Sequence, residues 1–176
     1  MANNLRRLAD AFQQLAGTVN SHYPHIIASQ LAQACRLCGP SNFNFGGSFH
    51  FADMELGSKV NDIENAATEN ETIEALVQRD IAQGSERLDS SPSRSLVRLK
   101  RVIEFVRVIF EKIIENEGLD SLVEPITIAY DQVFARYHGS NIRGVFAAVK
   151  NRIPTLSSIL NTLNEDGTYL YLQSHT

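Results

Sequence analysis

The chain has 176 residues with 43% hydrophobic and 20% charged side chains, a balance that is ordinary for one globular domain with a substantial core. Its formal net charge of −4 argues against a general nucleic-acid-binding protein, so we expect no nucleic-acid partner. No apolar run approaches the roughly 18 residues that a membrane span requires, and the N-terminus does not resemble a signal peptide. These features predict a cytoplasmic protein.

Apolar residues recur at helical spacing along nearly the whole chain. The predicted helices span residues 3–20, 25–38, 49–67, 71–83, 93–116, 119–137, 141–153 and 155–164. Residues 39–48 are a loop by composition, although they include Phe43 and Phe45, and Pro125 is expected to bend the sixth helix. Only residues 169–172 alternate like a short strand. The pattern predicts an all-α protein with a single domain of about eight helices.

The helix predicted at residues 93–116 is the longest, and we expect the fold to form around it. Its second half is apolar on nearly all sides, which is typical of a helix in the middle of a bundle. Its first half carries Arg94, Arg98 and Arg101, which fall within an arc of about 60° on one face. Such a guanidinium stripe beside the core requires an anion, and we interpret it as a phosphate site. A solvated or salt-bridged face is the alternative.

The positive charge is local, because residues 92–112 hold six of the 16 basic side chains and only two acidic ones. Two further candidate positions lie outside this segment. Glu55 and Lys59 are spaced i, i+4 on the third helix, where a surface ion pair worth about 0.3–0.5 kcal/mol is the simpler explanation. His138 precedes Gly139 at a helix end, where a capping or surface role is the simpler explanation.

Chemistry other than binding has little support in the sequence. Cys35 and Cys38 form a C-x-x-C pair, but no second pair of zinc ligands accompanies it, so two core residues on a helix is the better interpretation. The chain has no nucleophile elbow, no P-loop, no dinucleotide fingerprint and no zinc-protease motif. We therefore expect a binding protein rather than an enzyme, without a metal or a cofactor.

Several short motifs stand out when they are taken together: Phe51-Ala52-Asp53-Met54-Glu55, Lys59-Val60-Asn61-Asp62, Arg94-Ser95-Leu96-Val97-Arg98-Leu99-Lys100-Arg101, Val133-Phe134-Ala135, His138-Gly139 and, more weakly, Ile153-Pro154-Thr155. They resemble the glycolipid transfer protein superfamily, in particular its ceramide-1-phosphate transfer branch with the plant accelerated-cell-death members. The resemblance covers the chain to about Asn164 in the right order, and the motifs of the third and fifth helices carry most of it.

The resemblance implies a two-layer helical sandwich, with residues 1–176 as one lipid-transfer domain whose layers part to admit a lipid chain. It matches Lys59, Arg94 and Arg98 to a phosphate-binding cationic triad, with Arg101 as an outer charge. It matches His138 to the residue that meets the ceramide amide carbonyl. Glu55 lies where the family has an aspartate that accepts hydrogen bonds from the amide N–H and the sphingoid hydroxyl.

One position indicates the headgroup. Sugar-binding members of the family have a tryptophan, on which the sugar stacks, where this chain has Arg98, and the chain contains no tryptophan. A guanidinium cannot replace that platform, but it holds a phosphate well through two parallel hydrogen bonds. The lipid chains have apolar surroundings both in the membrane and in the pocket, so their transfer changes the free energy little and they determine only which chains fit. Charge-assisted hydrogen bonds of about 1.5–3 kcal/mol each determine which headgroup is preferred.

Three departures from the family pattern affect these expectations. Glu55 replaces aspartate and adds a methylene group. Ser140 stands where the family commonly has a tryptophan for membrane docking, so other apolar residues would have to dock, with Phe43, Phe45 and Phe146 as candidates. Relatives continue into a further C-terminal helix, so the C-terminal segment of this chain is expected to be shortened.

These observations predict non-vesicular transfer of a phosphorylated, ceramide-1-phosphate-like sphingolipid by a cytoplasmic protein that contacts membranes transiently and peripherally. The headgroup site would consist of Glu55, Lys59, Arg94, Arg98 and His138. The alternative is a helical protein-interaction module whose basic face binds an acidic partner. An enzyme acting on phospholipids is disfavoured because no nucleophile and base can be paired.

Overall fold

The structure is a computed structural model, and it describes residues 4–116 and 118–163. Its α-helices are α1 (Asn4–Val19), α2 (Ala28–Arg36), α3 (His50–Ala66), α4 (Ile73–Ala82), α5 (Pro92–Glu115), α6 (Val123–Val133), α7 (Ser140–Val149) and α8 (Leu156–Leu163). Within these described ranges strand-like pairing amounts to one isolated bridge, between Ile27 and Thr72. The all-α prediction with about eight helices is confirmed. The strand-like residues 169–172 lie outside the described part of the chain.

The predicted sixth helix differs from α6 at both ends. Residues 119–122 precede the helix, which begins at Val123, so Pro125 falls in the first turn and does not bend the helix. Proline is well tolerated there, because the N–H groups of a first turn have no helical partner. Asp120 in the preceding segment accepts hydrogen bonds from the N–H groups of Leu156 and Ser157, at 2.7 and 2.8 Å. The segment therefore holds the start of α8.

A buried carboxylate fixes the start of α5. Asp80, at the end of α4, is 2% exposed and accepts hydrogen bonds from Ser91 Oγ at 2.6 Å and from Ser93 N at 3.1 Å. Ser91 is in turn the N-cap of α5. Burial alone would raise the pKa of Asp80, but hydrogen bonds from Ser85, Ser91 and Ser93 outweigh it and lower the pKa to about 2. Asp80 is therefore an anchor between the two helices.

The core divides into groups of buried side chains on the two sides of α5. The larger group joins α1, α2, α3 and α4 to the first half of α5, and it includes Ala32, Val60, Ile63, Leu76 and Leu99. The smaller groups join α6, α8 and the segment before α8 to the second half of α5. Cys35 and Cys38 are buried and free in the larger group, and burial raises the pKa of both thiols, to about 12 for Cys38. Their predicted role as core residues is confirmed.

The second half of α5 is less buried than its apolar sequence predicts. Val108 is buried, but Phe110 is 36% exposed and Ile114 is 77% exposed. Arg107 forms ion pairs with Glu104 and Glu111 on the solvent side of the helix. The helix lies in the middle of the bundle as expected, with α3 and α6 flanking it, but one face of its second half is exposed. No helix within residues 4–116 and 118–163 is both long and apolar enough to cross a lipid bilayer.

Candidate binding site

An ion pair joins α3 to α5 at the centre of the predicted site. Nη1 of Arg98 donates to Oε1 of Glu55 over 2.9 Å. The Glu55 side chain is 63% exposed and the Arg98 side chain 37% exposed, so the pair lies at the surface. Phe51 and Met54, one turn and one residue before Glu55 on α3, are exposed as well. The charged pair therefore lies beside an apolar strip of α3.

Lys59 lies deeper between the same two helices. The residue is 8% exposed, and its Nζ donates to Oδ2 of Asp62 over 3.1 Å. The same Oδ2 accepts a hydrogen bond from Oγ of Ser95 over 2.7 Å. Asp62 thus neutralises Lys59 and ties α3 to α5. Glu55 and Lys59 each have a different partner, so the i, i+4 ion pair considered from the sequence is not the arrangement observed.

Arg94 turns toward the connection between α4 and α5. Its Nη1 donates to the carbonyl oxygen of Arg87 over 2.8 Å and pairs with Oδ1 of Asp89 over 3.0 Å. Each cation of the predicted triad therefore has a carboxylate partner. The three cations are therefore each neutralised within the protein.

His138 follows the short 3₁₀ turn Ala135–Tyr137, and aromatic side chains hold its ring. The ring stacks on Phe134 at 5.4 Å between centroids, and Nδ1 lies 3.0 Å from the hydroxyl of Tyr130. Burial lowers the pKa of His138, against the raising effect of Glu55, and Arg101 lowers it further. The lowered pKa favours the neutral imidazole, and the charge of Glu55 acts on the ring.

Arg101 has a specific contact on the outer side of the site. Its guanidinium lies 3.4 Å from the centre of the Tyr137 ring, and Arg136 lies 4.7 Å from the same ring. Tyr137 is 47% exposed, so the stacked group faces solvent. Two cations on an aromatic ring next to His138 make this edge of the site positively charged.

The apolar residues proposed for membrane docking require a correction. Phe43 and Phe45 are half-buried against the core, because the loop between α2 and α3 folds inward as two 3₁₀ turns, Pro40–Phe43 and Gly47–Phe49. Phe146 is also half-buried, and it stacks on Tyr130 at 3.8 Å between centroids. The large apolar side chains that α7 exposes are instead Ile142 and Val145, at 44% and 43%.

The structure brings Glu55 and Arg98 into contact and places His138 within the electrostatic influence of Glu55, whereas Lys59 and Arg94 engage carboxylates of their own. Two clefts of about 260 and 250 Å³ open beside the loop between α2 and α3, and no predicted site residue lines them. Sequence reasoning assigned no role to Asp62, Ser95 or Tyr130. Asp62 and Ser95 lie inside the motifs that match the family, and this could have drawn attention to them. Tyr130 lies outside those motifs, so nothing in the sequence pointed to it.

The described residues form a helical fold in which charged side chains of α3 and α5 meet at the candidate site. The model of the family described as "Glycolipid transfer protein (GLTP)" matches residues 26–165. The chain belongs to the glycolipid transfer protein family, whose members transfer lipids and are not enzymes. The predicted family and the predicted two-layer helical fold are confirmed.

Relatives and solved structures agree with this assignment. The chain is 37% identical over 173 residues to "Accelerated cell death 11" of Arabidopsis thaliana, covering 97% of this chain and 84% of the relative. A crystal structure of a mutant of that Arabidopsis protein complexed with C12 ceramide-1-phosphate superposes with a TM-score of 0.86 and 36% identity, covering 98% of this chain and 86% of that one. Human ceramide-1-phosphate transfer protein, complexed with 2:0 ceramide-1-phosphate, has a TM-score of 0.77 at 16% identity, covering 93% and 82%. This last likeness shows the fold alone.

Proposed function

We propose that this protein binds a ceramide-1-phosphate-like phosphosphingolipid and transfers it between membranes. The observation that carries the proposal is Arg98, a half-exposed guanidinium held at the contact of α3 and α5 by a weak ion pair. The 37% identical Arabidopsis relative supports it, since a mutant of that relative is solved with ceramide-1-phosphate. The alternative, a module that binds an acidic protein segment, would use the same basic face.

The headgroup would exchange places with protein carboxylates. In this proposal Arg98 leaves Glu55 and binds the phosphate. Arg94 likewise leaves Asp89, and Lys59 leaves Asp62, to bind the same phosphate. Arg94 lies one helical turn from Arg98 on α5, so both guanidinium groups can reach one phosphate. Lys59 is the most buried of the three cations, and its movement requires the largest rearrangement.

His138 and Glu55 would recognise the amide of the lipid. A neutral imidazole whose Nδ1 accepts from Tyr130 carries its proton on Nε2, and that N–H can donate to the amide carbonyl. Glu55, once released from Arg98, can accept from the amide N–H. The lowered pKa of His138 supports this arrangement because it favours the neutral ring. In a charged imidazole both nitrogens carry protons, so Nδ1 could not accept a hydrogen bond from Tyr130.

The lipid chains would lie against the second half of α5, α6 and α7. Half-buried apolar side chains are concentrated there, including Phe105, Ile109 and Ile113 of α5. α7 has an apolar sequence but no fully buried side chain, so this part of the molecule can still bury apolar surface. We propose that residues 1–176 act as one lipid-transfer domain, which docks transiently on the cytoplasmic face of membranes.

Vesicle-to-vesicle transfer of labelled lipids tests the proposal. The parent should transfer ceramide-1-phosphate faster than glucosylceramide, because three cations favour a phosphate by several kcal/mol, about 1.5–3 kcal/mol for each charged hydrogen bond. Arg98→Glu should reduce transfer of ceramide-1-phosphate by at least tenfold, as estimated from one such bond. Arg107→Glu is the matched control, since Arg107 is on the same helix but pairs with Glu104 and Glu111 on the solvent side.

Equal transfer by the parent and by Arg98→Glu would contradict the assigned site. Native mass spectrometry of the purified protein addresses the alternative function. A mass increment that corresponds to one phosphosphingolipid supports lipid binding, whereas a lipid-free chain that captures an acidic peptide supports the interaction module.

A further inference from the structure

Glu55 occupies the guanidinium that the proposed function assigns to the phosphate. Its Oε1 accepts from Nη1 of Arg98 over 2.9 Å, across the contact between α3 and α5. A guanidinium offers its N–H donors as a planar fork, and a phosphate binds best through two parallel hydrogen bonds to that fork. A carboxylate on the fork therefore competes with the phosphate for the same donors.

The length of the glutamate side chain makes this contact possible. An aspartate is shorter by one carbon–carbon bond, about 1.5 Å. On the same backbone, the 2.9 Å contact to Arg98 would lengthen beyond hydrogen-bonding distance. The aspartate that the family resemblance places at this position would therefore leave the guanidinium free.

The ion pair is weak enough to be reversible. The Glu55 side chain is 63% exposed and the Arg98 side chain 37% exposed, so water screens their attraction. A phosphate monoester carries up to two negative charges, and it repels a carboxylate on the same guanidinium. It can therefore displace Glu55, whereas an uncharged headgroup offers no charge in exchange and leaves the pair intact.

The displaced carboxylate remains near the rest of the site. Glu55 raises the pKa of His138 against the effect of burial, which requires the carboxylate and the imidazole to be close. Glu55 therefore interacts with Arg98 through a hydrogen bond and with His138 through its charge. Its release from Arg98 moves negative charge toward the place where the lipid amide would bind.

We propose that Glu55 is a specificity-determining residue, a resident counter-ion of Arg98 that only a phosphorylated headgroup displaces. The inference rests on the proposed function, because it requires Arg98 to receive the lipid phosphate. Through this exchange, phosphate binding and amide recognition are coupled: the phosphate frees the carboxylate that accepts from the amide N–H. When a lipid has the amide but no phosphate, Glu55 stays paired with Arg98 and does not accept from the amide N–H.

The experiment compares uptake of ceramide-1-phosphate and of unphosphorylated ceramide from phosphatidylcholine vesicles. Glu55→Gln removes the charge at constant length, and Glu55→Asp keeps the charge but shortens the side chain. Both should bind ceramide-1-phosphate about two- to fivefold more tightly than the parent, the factor expected for loss of an exposed ion pair. Unphosphorylated ceramide should gain at least as much, because residue 55 is then free to accept from its amide N–H, so the preference for the phosphorylated lipid should decrease. Glu64 is on the same helix as Glu55 and forms a comparable ion pair with Arg36 of α2, so Glu64→Gln is the control and should have no effect.

A lipid-free measurement checks the geometry independently. An NMR titration of His138 should give a lower pKa in Glu55→Gln than in the parent and an unchanged pKa in Glu64→Gln. An unchanged pKa in Glu55→Gln would overturn the inference, because the carboxylate would then lie away from the site.

Arg98→Gln separates the two levels of the proposal. If it loses ceramide-1-phosphate binding while both Glu55 variants bind like the parent or more weakly, the counter-ion role is overturned and the proposed function stands. If Arg98→Gln binds like the parent, the proposed site is wrong and the inference fails with it.

Discussion

The hydroxyl of Tyr130 lies 3.0 Å from Nδ1 of His138, and this contact determines what the imidazole can do. Tyr130 is buried, at 7% exposure, and Phe146 stacks on its ring, so the hydroxyl has a fixed position. When the hydroxyl donates to Nδ1, the neutral ring carries its proton on Nε2. The ring can then donate to an amide carbonyl.

Tyr130→Phe removes this control while the aromatic packing remains. We expect the imidazole to become a mixture of its two neutral tautomers and lipid transfer to fall about three- to tenfold, the effect of one neutral hydrogen bond of about 1 kcal/mol. Nitrogen-15 shifts of the His138 ring report the tautomer directly. Phe134→Leu is the control, since it removes the ring that stacks on His138 but leaves the hydroxyl. A parental tautomer in Tyr130→Phe would contradict the assignment.

The salt bridge between Lys59 and Asp62 predicts a strong asymmetry between single and double substitutions. Asp62→Ala leaves a buried ammonium group without a partner and should lower the free energy of unfolding by about 3 kcal/mol. Adding Lys59→Met should recover much of that loss, because the unpaired charge is gone. Urea denaturation of the parent, both single variants and the double variant measures the coupling. Additive effects would show that Asp62 does not compensate Lys59 in the folded state.

Asp80 should make the protein sensitive to acid. Its pKa of about 2 in the folded state is below the ordinary value of 3.8, so its carboxylate stabilises the fold fully above pH 4. That contribution is lost as the pH falls from about 4 to 2, because protonation removes the acceptor for Ser91 and Ser93.

Asp80→Asn tests this anchor. We expect a loss of about 1–3 kcal/mol in unfolding free energy at pH 7, since the buried serine donors lose a charged acceptor. The difference between the variant and the parent should shrink below pH 4. Asp10→Asn, which affects an exposed pair with Arg6, serves as the control and should change stability little. A constant difference at all pH values would contradict the assigned role.

Protonation of His138 should also lower the stability of the fold, at a higher pH than protonation of Asp80. Its pKa is lowered by burial, so the folded state resists protonation more than the unfolded chain does. Stability therefore decreases as the pH falls through the ordinary histidine value of 6.5 toward the folded-state pKa. Lipid transfer should decrease as the pH falls through the folded-state pKa, because Nδ1 of the protonated ring no longer accepts from Tyr130. His138→Gln should abolish this step in the pH profile of transfer.

The helices and the family could be predicted from local patterns. The 3.6-residue repeat predicted the long helix at residues 93–116, and α5 spans Pro92–Glu115. The helical repeat does not mark helix ends as clearly, because connecting segments can also contain apolar residues. The start of α6 is therefore at Val123, four residues later than predicted. The apolar second half of α5 also predicted a helix in the middle of the bundle, and one face of that half is nevertheless exposed. Apolar composition shows that a face can be buried, but it does not show how many neighbours are there to cover it.

The sequence by itself determined the all-helical class, the family and the residue types of the candidate site. Only the tertiary structure decided which charges meet: Arg98 with Glu55, Lys59 with Asp62, and Arg94 with Asp89. The physical reason is that helix formation depends on neighbours within about four residues along the chain. The partner of Arg98 instead lies 43 residues away in sequence and depends on the packing of α3 against α5, which also lets Ser95 hold the Asp62 carboxylate that pairs with Lys59 on its own helix.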